Sequence, residues 1–70
     1  MKELNLKKLG KNIAKARKES GLTQRELADV IGVSDRVCGF IEQGIKKPGL
    51  ETAYRIANTL DTTIDELIGR

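Results

Sequence analysis

Histidine is absent from the 70 residues, and Cys38 is the only cysteine. The commonest general base, Cys/His zinc sites, serine-type triads and an intrachain disulfide are excluded together. What remains is chemistry by charge. Lys2, Lys7, Lys8, Lys11, Lys15, Arg17 and Lys18 crowd residues 1–18 against a single anion, Glu3, whereas residues 48–70 carry more acid than base. Lys46-Lys47 form a second basic spot ahead of Pro48-Gly49. The net charge is only +3, with a pI near 9.2, so the chain is a dipole whose amino-terminal part would meet a polyanion first. A merely solvated lysine face is the competing reading. Arg36 and Phe40, four residues apart, would share one helix face.

The frame that must position these groups is small. Seventy residues make one domain of marginal stability. Apolar residues are 39% of the chain, but the only aromatics are Phe40 and Tyr54, which implies a core of Leu, Ile, Val and Ala. No apolar run approaches the roughly 18 residues of a transmembrane helix, and the basic start lacks the apolar stretch of a signal peptide. A lone cysteine fits a reducing cytosol, so a cytoplasmic protein is expected. No catalytic mechanism, metal or cofactor is expected, and no separate ligand domain.

Gly21, Gly32, Gly44 and Pro48-Gly49 cut the chain into five periodic segments. Leu6, Leu9, Ile13 and Ala16 recur at helical spacing, with Lys7, Lys11, Lys15 and Lys18 as a separate stripe. Ser20-Gly21 stops this first helix. Thr23-Gln24-Arg25-Glu26 is a capping box that starts a second helix with Leu27, Ala28 and Ile31 inward. Ser34 is the next N-cap, Asp35 stands in a first turn where the helix dipole favours an anion, and Val37, Cys38 and Ile41 are apolar. Leu50, Ala53, Tyr54, Ile56, Ala57 and Leu60 define a fourth helix, and Thr63-Ile64-Asp65-Glu66, a second capping box, a fifth. No segment alternates as a strand does. The expected fold class is all-α.

Gln24 to Gln43 is the informative stretch. Two short helices joined by Gly32-Val33 cannot lie antiparallel, and a turn this tight sets them at a steep angle, the helix-turn-helix geometry. The first helix then braces the second, which projects from the surface. Ala28 allows close approach, and Leu27, Val33, Cys38 and Ile41 would fill the space between.

Leu22-Thr23-Gln24-x-x-Leu27-Ala28-x-x-x-Gly32-Val33-Ser34, followed by Ile41-Glu42-x-Gly44 and Pro48, resembles the phage Cro and repressor type of helix-turn-helix domain. The resemblance spans residues 13–67, with the motif itself at 24–43. It includes Ala14-x-x-Arg17 before the motif and Asp65-Glu66-Leu67 after it. It implies a compact five-helix, lambda-repressor-like domain that binds double-stranded DNA, usually as a homodimer on a pseudo-palindromic operator, and regulates transcription. Carried over by position, it implies that Gln24 bonds a phosphate and buttresses the recognition helix. Asp35, Arg36 and Phe40 would face base edges, with Val37 beside them, while Gln43 and the Lys46-Lys47 loop would meet the backbone. Arg17 and Glu42 match a structural ion pair.

Several roles stay open at this level. Asp35 either accepts from a cytosine amino group or caps its helix. Arg36 reads a base or grips a phosphate. Phe40 meets a thymine methyl, folds back onto the domain or marks a protein-binding patch. Gly39 costs about 1 kcal/mol within a helix, for close approach to the groove or for nothing. Cys38 is a core thiol or a redox sensor. Leu60, Ile64 and Ile68 are either dimer surface or ordinary core. A transcriptional repressor acting by operator occupancy competes with an antitoxin that also binds a toxin, and with a protein-interaction module that has lost DNA binding.

Overall fold

Among the described residues, every helix but the one that follows Gly49 starts where a side chain satisfies a free amide of its first turn. The structure is a computed structural model that describes residues 3–69, so Lys2 and Arg70 lie outside it. Helix α1, Leu6–Glu19, is capped by Asn5, whose Oδ1 accepts from the Lys8 amide at 3.0 Å. Arg17 and Lys18 fall in its last turn, where the helix dipole favours cations. Helix α2, Gln24–Ile31, opens on a complete capping box. The Glu26 amide donates to Thr23 Oγ1 at 3.1 Å, and the Thr23 amide donates to Glu26 Oε1 at 2.9 Å. Gly32 ends α2 with φ of 77°, a left-handed conformation that disfavours residues with a Cβ.

Helix α3, Asp35–Gln43, takes Ser34 as its cap, through a 3.1 Å bond from the Val37 amide to Ser34 Oγ. Helix α4 spans Leu50–Thr59 and α5 spans Ile64–Leu67. Among the described residues no strand forms, and no helix is long and apolar enough to cross a membrane.

The core is aliphatic, as composition implied. Leu9, Ile13, Leu27, Ala28, Ile31, Cys38, Ile41, Ile56, Ala57, Leu60 and Leu67 are buried together. Helix α3 packs on both α1 and α2, α4 backs α2, and α5 closes against α1 and α4. Leu60 is core, and Ile64 and Ile68 pack half-buried against it. Cys38 is buried to 1% exposure, where burial pushes its thiol pKa up. It is a core thiol.

Two local expectations fail. Leu50 and Tyr54 have the spacing of an inward face but are 81% and 61% exposed. Ile56, Ala57 and Leu60 centre the buried stripe, Leu50 is the first residue of its helix, and Tyr54 lies on the flank. The second capping box is only half formed. The Glu66 amide donates to Thr63 Oγ1 at 3.0 Å, but the Glu66 carboxylate accepts from the Thr62 hydroxyl at 3.2 Å instead of reaching the cap amide.

Candidate nucleic-acid interface

The inner side of α3 is anchored by charge as well as by apolar packing. Arg17 Nε donates to Glu42 Oε2 at 2.7 Å and Nη2 donates to Oε1 at 3.2 Å. Arg17 Nη1 donates to the Leu22 carbonyl at 2.8 Å. Only about a tenth of the Arg17 side chain and a twentieth of Glu42 are exposed, at 10% and 5%. A bidentate pair this dry is costly to split. Gln24 Nε2 donates to the same Glu42 Oε1 at 2.9 Å. Its amide thus ties the start of α2 to the end of α3, the buttressing geometry.

Gly10 lets α1 come close enough for this. A Cβ there would collide with the Glu42 carbonyl oxygen and lie 2.6 Å from that of Ile41. Both neighbours are backbone and cannot swing aside. Gly44 ends α3 with φ of 78° and sits against Lys7 of α1.

The outer side of α3 carries the residues expected at a groove. Asp35, Arg36 and Gln43 are exposed, as are Lys46 and Lys47 in the loop that follows. Val37 is half-buried and packs against the core, so little of it faces outward. Phe40 also is half-buried, not exposed as its spacing implied. Its ring carries the Arg36 guanidinium, with Cζ 5.9 Å from the centroid, within cation–π range. The chain turns back beside it, since the Ile45 and Lys46 amides both donate to the Phe40 carbonyl, at 2.9 and 3.2 Å.

Ser34 supplies the cap hydrogen bond of α3, and Asp35 stands in its first turn, where the helix dipole favours an anion. Asp35 Oδ2 also lies 3.3 Å from Nε of Arg25, in the first turn of α2, with both side chains mostly in solvent. Arg25 was missed by sequence reasoning, because its partner lies across the turn on another helix. Ile45, 64% exposed beside the lysine pair, was missed as well. The lysines of α1 are exposed but do not share one neighbourhood. Lys7 abuts Gly44 at the end of α3, whereas Lys15 borders a cleft with Glu19, Thr62 and Glu66.

Known proteins share this arrangement. A helix-turn-helix family model, HTH_3, matches residues 13–67. YqaE, an HTH-type transcriptional regulator of Bacillus subtilis, is 35% identical over 81% of the chain and 49% of its own length. RstR, a cryptic phage CTXphi transcriptional repressor of Vibrio cholerae, is 38% identical over 90% of the chain and 56% of its own length. The chain thus spans about half the length of these curated relatives. Among solved structures, SinR, a master regulator for biofilm formation in complex with DNA, superposes with a TM-score of 0.79 at 28% identity. That match covers 86% of the chain and 97% of SinR. The five helices adopt the lambda-repressor-like fold. With its braced recognition helix and a match over residues 13–67, the chain belongs to the helix-turn-helix family.

Proposed function

We propose that this chain is a sequence-specific, double-stranded DNA-binding transcriptional regulator, acting in the cytoplasm as a repressor by occupying its operator. The observation that carries this reading is the division of α3. Its inner side is locked by Glu42 to Arg17 and Gln24, while Arg36 and Gln43 are exposed on the outer side and Lys46-Lys47 stand at its end. An α-helix so presented fits the major groove, with its amino-terminal residues toward base edges. The relatives named as a transcriptional regulator and a repressor, and the DNA complex of SinR, support it.

In this reading residues 13–67 form the binding unit and 24–43 its motif. Arg36 reads a base edge from its seat on Phe40, and the exposed part of the ring meets a thymine methyl. Asp35 and Val37 border the reader. Gln24, Gln43, Lys46 and Lys47 contact phosphates. One recognition helix reads few base pairs, so a homodimer on a pseudo-palindrome, with half-sites about 34 Å apart, supplies the specificity.

Selection of binding sites from random duplex DNA, followed by anisotropy titration at two salt concentrations, tests the proposal. A two-fold symmetric consensus bound at least about a thousandfold tighter than unrelated duplex is expected. Enrichment of no sequence would overturn it.

A further inference from the structure

Asp35 poses a problem for a DNA-facing helix. A free carboxylate at the amino-terminal end of α3 would be repelled by phosphate. The structure gives it a partner that the motif does not require: Arg25, with Nε 3.3 Å from Asp35 Oδ2. The two residues occupy the first turns of consecutive helices, so the contact bridges the two amino-terminal ends that the helix-turn-helix directs at the duplex. Side-chain exposures of 79% and 54% leave the pair in solvent, where an ion pair adds little to stability. Its value lies in orientation. The Asp35 carboxylate lies nearest the inner nitrogen of the guanidinium, as an ion pair, and this leaves the outer edge, with its two terminal nitrogens, open to O6 and N7 of guanine.

We propose that Arg25 is a base reader of this domain, donating to a guanine in the major groove, and that Asp35 is its positioning residue. The assignment rests on the DNA-binding reading and deepens it. Asp35 offsets part of the Arg25 charge, so the pair gains little from non-specific phosphate and discriminates mainly at one base pair. It also accounts for an acid at the tip of a recognition helix with no cytosine contact of its own.

The test uses the full chain and duplexes built on the consensus that the wild type selects, with each base pair replaced in turn. Wild type is expected to prefer G·C at one position in each half-site, by about 5- to 150-fold over other pairs. Arg25→Ala should abolish that preference and leave the others intact. Asp35→Asn should weaken the preference at the same base pair, and the double variant should lose no more than Arg25→Ala alone. Both side chains are exposed, and melting curves of the variants should match wild type. The proposal is overturned if Arg25→Ala weakens every duplex equally and lowers the salt slope by about one, the mark of a phosphate contact. It is overturned equally if Asp35→Asn alters a different base pair, since Asp35 then reads DNA itself. A wild-type chain that selects no sequence defeats the DNA-binding reading and this one with it; the variant results bear on Arg25 and Asp35 alone.

Discussion

Arg17 and Glu42 face each other through two parallel hydrogen bonds, of 2.7 and 3.2 Å, at the seam between α1 and the end of the recognition helix. Such a pair sets the position of α3 more than it adds net stability, because both charges are largely desolvated. Removing one partner strands the other. Arg17→Ala is expected to cost about 3–5 kcal/mol, a large part of the stability of so small a domain. Thermal melts without DNA check this. If the variant melts like wild type and loses only DNA affinity, Arg17 is a phosphate contact and the pair is incidental.

Lys46 and Lys47 make the complementary case. Both are exposed in the loop after α3, so their replacement should leave the fold alone. Each phosphate contact contributes roughly 0.9 to the slope of log K against log salt. Lys46→Ala with Lys47→Ala should therefore reduce its magnitude by about 1–2 units with no change in melting temperature. An unchanged slope places the loop away from DNA.

Gly39 separates stability from function in the opposite direction. A Cβ at this position would meet only Gln24 Oε1, at 3.8 Å, an ordinary contact. Gly39→Ala should thus stabilise the free protein by about 1 kcal/mol through helix propensity. Calorimetry measures that gain, and a titration with operator DNA shows whether it comes at the expense of affinity. A stabilised variant that binds normally makes the glycine incidental; one that binds poorly makes it a clearance for the duplex. No gain in stability would mean that α3 is distorted by the added methyl.

The capping box of α2 predicts a dependence on pH. The Thr23 amide, and after it the Thr23 side chain, hold the Glu26 carboxyl below the usual glutamate range. A carboxyl depressed by folding stabilises the native state above its unfolded pKa, and that contribution is lost as pH falls through the folded value. Wild type should therefore exceed Glu26→Gln in stability by a constant margin at neutral pH, and the margin should close on acidification below about pH 4.3. Paired denaturant titrations at pH 7 and in the acid range measure it. A margin independent of pH would mean that the carboxylate charge plays no part in the cap.

Local features were legible in the sequence because they depend on a few neighbouring residues. Thr23 and Glu26 lie three apart and meet, and Gly32 and Gly44 end their helices where the spacing placed them. Legibility fails where geometry joins distant segments. Nothing near Gly10 in the chain announces that its missing side chain admits the Ile41 and Glu42 carbonyls. Nothing in the motif pairs Arg25 with Asp35. Periodicity also over-reads a short helix: Leu50 and Tyr54 keep the right interval yet no neighbour covers them. Glu66 shows the same limit at the scale of one bond, since correct spacing did not decide which hydroxyl or amide its carboxylate would take.

The anchoring of Glu42 also bears on how this domain can change. Everything that fixes α3 in place, from Cys38 and Ile41 to the Arg17 and Gln24 contacts with Glu42, enters from one side of the helix. Asp35, Arg36 and Gln43 carry none of that burden and lie in solvent. Mount and address are thus written in separate letters of the same nine-residue helix. Under the proposed DNA-binding reading, a lineage can rewrite its operator one exposed position at a time, without passing through an unfolded ancestor.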